Sequence, residues 1–105
     1  MTDVVIVLTT VPEGEVGEQI ARALVEERLA ACVNVLAPMT SVYRWEGRVE
    51  HERERQLVIK TSRDRVALVQ ARVAELHSYD LPEFLVLPVA DGSAAYLGWV
   101  AENAR

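Results

Sequence analysis

The residue of this sequence that is best suited to metal chemistry is His77. It lies where the second predicted helix ends, and a short polar loop follows it. An imidazole at such a position suits Cu(II) or Zn(II), because histidine is the commonest ligand of borderline metals. Glu54, Asp80 and Glu83 could add oxygen ligands if folding brings them close. The sequence leaves open an alternative, in which the ring only interacts with the carbonyls and dipole of the helix C-terminus.

Two further side chains could take part in chemistry: Lys60, the only lysine, and Cys32, the only cysteine. Lys60 ends a long charged segment and could bind an anion, although an ion pair with Asp64 or Glu83 is the commoner use of such a residue. Cys32 lies in an apolar run, where a free cysteine usually packs as a small hydrophobic side chain. Since no base flanks Cys32, we predict no activated nucleophile there.

Composition and charge limit the class of protein. The chain has 105 residues, half of them hydrophobic, which suits one domain spanning residues 1–105. A net charge of −5 without a basic cluster disfavours nucleic acid as a partner. One cysteine excludes an internal disulfide and a cysteine-built zinc site. No signal peptide and no apolar run long enough to cross a bilayer is visible, so we expect a cytoplasmic protein that does not contact membranes.

The spacing of apolar residues predicts the element order β-α-β-β-α-β, followed by a C-terminal helix. Residues 3–10 form a short β-branched run, which predicts a strand buried on both faces. Thr61 with Asp64 resembles a capping box at the start of the second helix, and Ser93 is a candidate cap for the last helix. The residues expected to face inward from the three helices are Val16, Ile20, Ala23, Leu24, Val66, Val69, Val73, Leu76, Tyr96, Leu97, Val100 and Ala104.

This order predicts an α+β, ferredoxin-like fold. Two right-handed β-α-β units joined by a hairpin form a four-stranded antiparallel sheet with both helices on one face. Pro38 predicts a kink in the first arm of the hairpin, and Glu46-Gly47 predicts its tight turn. Pro88 predicts that the last strand lies at the edge of the sheet, because proline cannot donate to a strand ladder.

The hairpin is too long for the sheet that it belongs to. Its arms, about residues 30–45 and 48–61, exceed the usual strand length of about five or six residues, so the far end should project as an arm. In the segment RVEHERER, Glu50, Glu52 and Glu54 point to one face, and His51, Arg53 and Arg55 point to the other. The charges could simply protect an exposed edge. We favour an arm that packs against neighbouring subunits, with Tyr43, Trp45, Arg53 and Arg55 as oligomer contacts.

Several segments in fixed order resemble the CutA divalent-cation tolerance proteins. They are RLAACVNVLAPMTSVYRWEGRVE, QLVIKT, LHSYDLPEFLVLPV and GSAAYLGWV, which together span nearly the whole chain. The resemblance implies a ferredoxin-like homotrimer held by long strands, with a chain topology similar to that of the PII signalling proteins. It also implies copper tolerance, with Cu(II) or another divalent cation as ligand and His77 and Glu54 as metal ligands. Some relatives carry an extra cysteine and histidine where this chain has Thr9 and Leu76.

Three function classes therefore follow from the sequence. The first is a trimeric, metal-binding or metal-responsive tolerance protein without catalytic activity. The second is a PII-like regulatory module that binds a small anion or a partner protein in a cleft between subunits, with Lys60, Tyr79 and Glu83 as contacts. The third is an acylphosphatase-like enzyme, which is disfavoured because the loop after the first strand, TTVPEGE, is acidic and only fold analogy supports that activity.

Overall fold

In the computed structural model, which describes residues 2–105, the helices and strands follow the predicted order except that the first arm of the hairpin is divided into two strands. Their bounds are β1 Val4–Pro12, α1 Val16–Glu26, β2 Cys32–Val35, β3 Met39–Trp45, β4 Arg48–Ser62, α2 Val66–Leu76, β5 Leu85–Pro88 and α3 Ala94–Asn103. The prediction of an α+β, ferredoxin-like fold with an added C-terminal helix is confirmed. Within residues 2–105, no helix is long and apolar enough to cross a membrane.

The 15-residue strand β4 is the longest strand of an antiparallel sheet, in which the strand order is β2-β4-β1-β5. One edge of β4 pairs with β1 along the whole of β1, from Val4↔Ser62 to Pro12↔Glu54. The other edge pairs first with β2 and then with β3. The sheet therefore has five strands where four were predicted, because residues 36–38 interrupt the first arm of the hairpin. This break confirms the kink predicted at Pro38, and β5 lies at the sheet edge as predicted.

The main core lies between one side of the sheet and the helices α1 and α2, as predicted. We call this the helix side. Its fully buried members are Val7, Val11, Ile20, Leu24, Ala30, Leu57, Ile59, Val69 and Val73. The expectation that β1 is buried on both faces is wrong, because its burial alternates with the period of a strand. Its other residues face the open side of the sheet, together with Glu54, Gln56, Val58 and Lys60 of β4.

Helix α3 covers one end of the open side. A small second core joins Val4 and Ala31 to Val100 and Ala104 of α3, and Oγ of Ser93 caps the helix by accepting a hydrogen bond from the Tyr96 amide at 3.2 Å. The cap and the inward positions of Val100 and Ala104 confirm the prediction. Tyr96 was expected to face inward as well, and this is wrong: its side chain is exposed, because α3 covers only the end of the sheet.

Thr61 does not cap the second helix, which corrects the sequence-based prediction. β4 continues to Ser62, a 3-10 turn follows at Arg63–Arg65, and only then does α2 begin. Pairing with β1 holds Thr61 in the sheet, and its buried hydroxyl donates a hydrogen bond to the carbonyl of Leu29 over 2.7 Å. Although the Thr61 side chain suits a helix cap, strand pairing therefore places it in the sheet.

The hairpin of β3 and the first half of β4 projects as an arm, as expected. The molecule measures 44 × 26 × 24 Å, and its radius of gyration is 14.2 Å, above the roughly 13 Å of a compact domain of this length. Glu46 and Gly47 form the tight turn with φ values of 49° and 78°, both positive as in a type I′ turn. Val42, Tyr43, Trp45 and Val49 are exposed near the tip.

Candidate functional site

The candidate metal ligand His77 is buried at the C-terminal end of α2, and both nitrogens of its ring are engaged. Nε2 lies 2.7 Å from the carbonyl oxygen of Thr10, and Nδ1 lies 3.1 Å from the amide nitrogen of Tyr79. A carbonyl only accepts and an amide only donates, so this arrangement requires a neutral ring with its proton on Nε2. The histidine thus links the end of α2 to β1 and to the loop that follows it.

Tyr79 connects this histidine to Glu54 in the middle of β4. Its hydroxyl donates a hydrogen bond to Oε2 of Glu54 over 2.7 Å, and its ring lies 4.7 Å from the His77 ring between centroids. Burial, and then the neighbouring Glu54 carboxylate, raise the pKa of the Tyr79 phenol well above its usual value. The Glu54 side chain is buried, so this hydrogen bond satisfies a carboxylate that has lost most of its contact with water.

Gln56 belongs to the same group of polar side chains as His77, Tyr79 and Glu54, and the sequence analysis did not identify it. Its amide nitrogen donates to the carbonyl of Thr9 over 2.8 Å and to Oε2 of Glu83 over 3.1 Å. Gln56 lies two residues after Glu54 on β4, so strand periodicity puts both side chains on the same side. Strand periodicity could therefore have indicated that Gln56 lies next to the Glu54 carboxylate. We call His77, Tyr79, Glu54, Gln56 and Glu83 the polar cluster; it brings together four of the predicted site residues.

Lys60 lies apart from the polar cluster within one chain. It shares the open side with Glu54, but six residues of extended strand separate them, or about 20 Å. Its ammonium lies 5.7 Å from the ring centroid of Tyr96 on α3. The expected ion pair with Asp64 or Glu83 is wrong, since neither pair occurs within residues 2–105. Lys60 therefore packs against the Tyr96 ring and not against a carboxylate.

Cys32 is less buried than its apolar surroundings suggested. It is partly exposed on the open side, directly opposite Lys60 in the pairing of β2 with β4. Thr9 is fully buried on the helix side, and Leu76 packs against the same core. Across residues 2–105, no three side chains among histidine, cysteine, aspartate and glutamate are grouped so that they could hold a metal ion.

Glu50, Glu52 and Glu54 lie on one face of the arm and Arg53 and Arg55 on the other, as strand alternation predicted, although Arg48 lies opposite Trp45 on the acidic face. On the basic face, Arg53 pairs with Glu13 over 3.1 Å, and Arg55 donates to the carbonyl of Leu36 over 2.8 Å. The acidic face carries Tyr43, whose phenol has a raised pKa because of desolvation and the nearby carboxylates of Glu52 and Glu50. The two arginines are therefore held by their own chain, while the aromatic residues of the acidic face remain exposed.

Comparison with known proteins covers nearly the whole chain. A family model described as CutA1 divalent ion tolerance protein matches residues 5–103. A divalent-cation tolerance protein CutA of Thermus thermophilus is 49% identical over 98 residues, which cover 93% of this chain and 95% of that protein. The solved structure of a divalent cation tolerance protein (Cut A1) from Thermus thermophilus superposes with a TM-score of 0.95 at 47% identity, covering 97% of this chain and 99% of that one.

Two further solved structures widen the comparison. A PII-like protein CutA from Nostoc sp. PCC 7120, in apo form, is 41% identical and superposes with a TM-score of 0.89, covering 96% of this chain and 97% of that one. A protein described as the periplasmic divalent cation tolerance protein CutA of Archaeoglobus fulgidus is 34% identical, with a TM-score of 0.93 and coverage of 97% and 99%. The arrangement of strands and helices is thus shared across these proteins.

Proposed function

Because the chain belongs to the CutA1 divalent ion tolerance protein family, we propose that it is a divalent-cation tolerance protein that works without catalysis. In this proposal it acts in the cytoplasm as a homotrimer and binds the cation, with Cu(II) as the first candidate, at the boundary between subunits. His77 and Glu54 are the proposed metal ligands. Tyr43, Trp45, Arg53 and Arg55 of the arm are the proposed oligomer contacts.

In this proposal the site has to be shared between chains, because one chain offers too few ligands. Copper and zinc sites in proteins use three or more ligands, and residues 2–105 bring no three such side chains together. His77 and Glu54 nevertheless lie in one cluster, joined by Tyr79, whose backbone amide donates to His77 and whose hydroxyl donates to Glu54. The missing ligands would come from a neighbouring copy.

Cation binding at His77 would require a local rearrangement. Nδ1 is occupied by the amide of Tyr79 and Nε2 carries the proton that is donated to Thr10. A lone pair becomes available to a metal when the loop after α2 gives up the Tyr79 amide contact. We therefore expect cation uptake to be accompanied by movement of residues 77–84.

Native mass spectrometry with and without stoichiometric Cu(II) tests this function. We expect a trimer that takes up one copper per chain, with uptake lost in His77→Ala and in Glu54→Gln. Glu54→Gln keeps an acceptor for the Tyr79 hydroxyl and so separates metal binding from folding. His51→Ala, an exposed histidine on the arm, is the matched control and should bind as wild type does. A trimer that ignores copper would refute the cation part, and a monomer would refute the assembly.

A PII-like regulatory module is the second candidate. The engagement of both ring nitrogens of His77 favours it, because the polar cluster is already satisfied without a metal. In this case Lys60 of one chain, with Tyr79 and Glu83 of another, would bind a small anion or a partner protein in the cleft. Calorimetry with ATP and with inorganic phosphate tests this candidate, which predicts metal-independent binding that is lost in Lys60→Met.

An enzymatic function has no support in the loop after β1. A phosphate-binding loop of the acylphosphatase type needs a basic residue there, whereas this loop carries Glu13 and Glu15. Negative charge repels a phosphate group, so we keep the proposal of a non-catalytic protein. Measurable acylphosphate hydrolysis by the purified trimer would contradict it.

A further inference from the structure

Helix α3 buries little of its own surface. Val100 is its one fully buried residue, and most of its other side chains, including Tyr96 and Trp99, are exposed. The helix also has a glycine in its middle, Gly98, where an added Cβ would meet nothing within 4 Å in residues 2–105. A helix of 10 residues is marginal in water by itself, and a glycine in its interior weakens it further. Contacts from outside the helix must therefore hold it in place.

Two arginines from other parts of the chain bind the C-terminal end of α3. Nε of Arg28 donates a hydrogen bond to the main-chain oxygen of Arg105 over 2.6 Å, and its Nη2 donates to the carbonyl of Glu102 over 2.8 Å. Nε of Arg65 donates to the carbonyl of Ala104 over 3.2 Å. A helix end has unpaired carbonyls and a negative dipole, and the last turn of α3 has no basic side chain. Positive charge is therefore supplied from the end of α1 and from the 3-10 turn before α2.

The backbone of Arg28 adopts a conformation that favours glycine. Its φ is 61°, and it lies just after α1, where the amide of Leu29 donates to the carbonyl of Leu24 over 2.9 Å. Glycine usually occupies this left-handed position, because it has no Cβ. An arginine is less stable there, and the contribution of its side chain is the pair of hydrogen bonds to α3. Arg28 is therefore placed to serve α3 and not α1.

The two ends of α3 are held in different ways. The segment that carries Arg28 is fixed to the sheet, because the Thr61 hydroxyl donates to the carbonyl of Leu29 over 2.7 Å. Residues 89–93, which join β5 to α3, have no regular secondary structure and include Gly92. A short connection that contains a small residue suits a hinge. The helix can therefore rotate about this connection once the guanidinium contacts at its other end break.

We propose that α3 is a hinged lid on the open side of the sheet and that Arg28 is its latch. The closed lid covers the apolar side chains of Val4 and Ala31. It also places the Tyr96 ring 5.7 Å from the Lys60 ammonium. Opening exposes the apolar pair and frees this ammonium, so the lid controls access to this end of the open side. The inference depends neither on a bound cation nor on the number of subunits.

Thiol labelling measures the opening of the lid. In a Cys32→Ser background, Val100→Cys places a thiol under the lid and Val7→Cys places one in the main core, since both valines are fully buried. A small maleimide reaches the first thiol when α3 opens and the second only when the main core opens. Local opening requires less free energy than global unfolding, so Val100→Cys should be labelled faster by roughly tenfold or more. Equal rates would mean that α3 opens only with the whole domain and would overturn the lid.

Arg28→Gly tests the latch, because it removes the guanidinium and leaves a residue that suits a φ of 61°. It should speed the labelling of Val100→Cys by roughly tenfold and leave that of Val7→Cys unchanged. Arg28→Lys should give an intermediate rate, since an ammonium lacks the planar fork of a guanidinium. The matched control is Glu46→Gly, which replaces the other non-glycine residue of positive φ in residues 2–105 and should change neither rate. An unchanged rate in Arg28→Gly, or an equal rise at both thiols, would overturn the latch.

Gly98→Ala is a second variant, and it has no reason to disturb folding, because its methyl group enters open space. A detached α3 unfolds in water, and alanine stabilises the helical state relative to glycine. The labelling of Val100→Cys should therefore slow by roughly threefold to fivefold. An unchanged or faster rate would contradict the weakness assigned to α3.

Discussion

The hydroxyl of Tyr79 donates a hydrogen bond to Oε2 of Glu54 over 2.7 Å, which ties the loop after α2 to the middle of the longest strand. The carboxylate is buried, and this phenol is the hydrogen-bond donor that the structure provides for its Oε2 atom. The same loop is held to β1 by His77 and to β4 by Glu83. Folding of the loop and satisfaction of a buried charge are therefore coupled in one cluster.

Removing the Tyr79 hydroxyl should destabilise the protein. In Tyr79→Phe, Glu54 stays buried without its donor, and we expect the free energy of unfolding to fall by about 1–3 kcal/mol. Urea unfolding at pH 7 measures the change. Tyr96→Phe is the control, because the Tyr96 side chain is exposed, and it should change stability by less than about 0.5 kcal/mol. Equal effects of the two variants would contradict the role given to the bond.

The raised pKa of Tyr79 predicts a loss of stability in alkali. The unfolded chain releases the phenol proton near pH 10, whereas the folded chain retains it to higher pH. The folded state then binds more protons, so stability falls as pH rises above 10, by at most about 1.4 kcal/mol per pH unit. The real slope should be smaller, because solvent screens a partly exposed phenol. Urea midpoints at pH 9, 10 and 11 should converge between wild type and Tyr79→Phe, and parallel curves would refute the linkage.

Two buried threonines on neighbouring strands should respond to valine in opposite directions. The hydroxyl of Thr9 is buried without a hydrogen-bond partner in the described residues, whereas that of Thr61 donates to Leu29. Thr9→Val should stabilise the protein by about 1 kcal/mol, since it removes an unsatisfied polar group. Thr61→Val should destabilise it by about 1–3 kcal/mol, because it orphans a carbonyl. Thermal unfolding of both variants compares them; a stability loss in Thr9→Val would mean that its hydroxyl is satisfied in solution.

Replacing Glu46 in the turn at the tip of the arm should stabilise the protein. Glu46 adopts a φ of 49°, a left-handed conformation that asparagine tolerates far better than glutamate does, and Asn-Gly is the preferred type I′ pair. Glu46→Asn should raise the free energy of unfolding by about 0.5 kcal/mol. Gly47→Ala should lower it, because φ at this position is 78°. Differential scanning calorimetry measures both, and a destabilised Glu46→Asn would show that the glutamate side chain makes a compensating contact.

Local patterns in the sequence predicted much of the fold correctly. Helical spacing identified Ile20, Leu24, Val69 and Val73 as core residues, and strand alternation identified the two charged faces of the arm. Pro38, the Glu46-Gly47 turn and the Ser93 cap act within a few residues of the chain. Each of these features depends on backbone geometry near the residue itself, which is why the sequence reveals it.

Tertiary structure decided where side chains of similar local character end up. Thr61 lies in the sheet and not at a helix cap, because β1 pairs with β4 as far as Ser62. Lys60 and Glu54 lie on one side of one strand, yet about 20 Å of extended backbone keeps them apart. The ring nitrogens of His77 are filled by a carbonyl 67 residues away and by a neighbouring amide. The position of Thr61 and the contact of His77 with Thr10 arise from segments distant in the chain, so no local pattern could encode them.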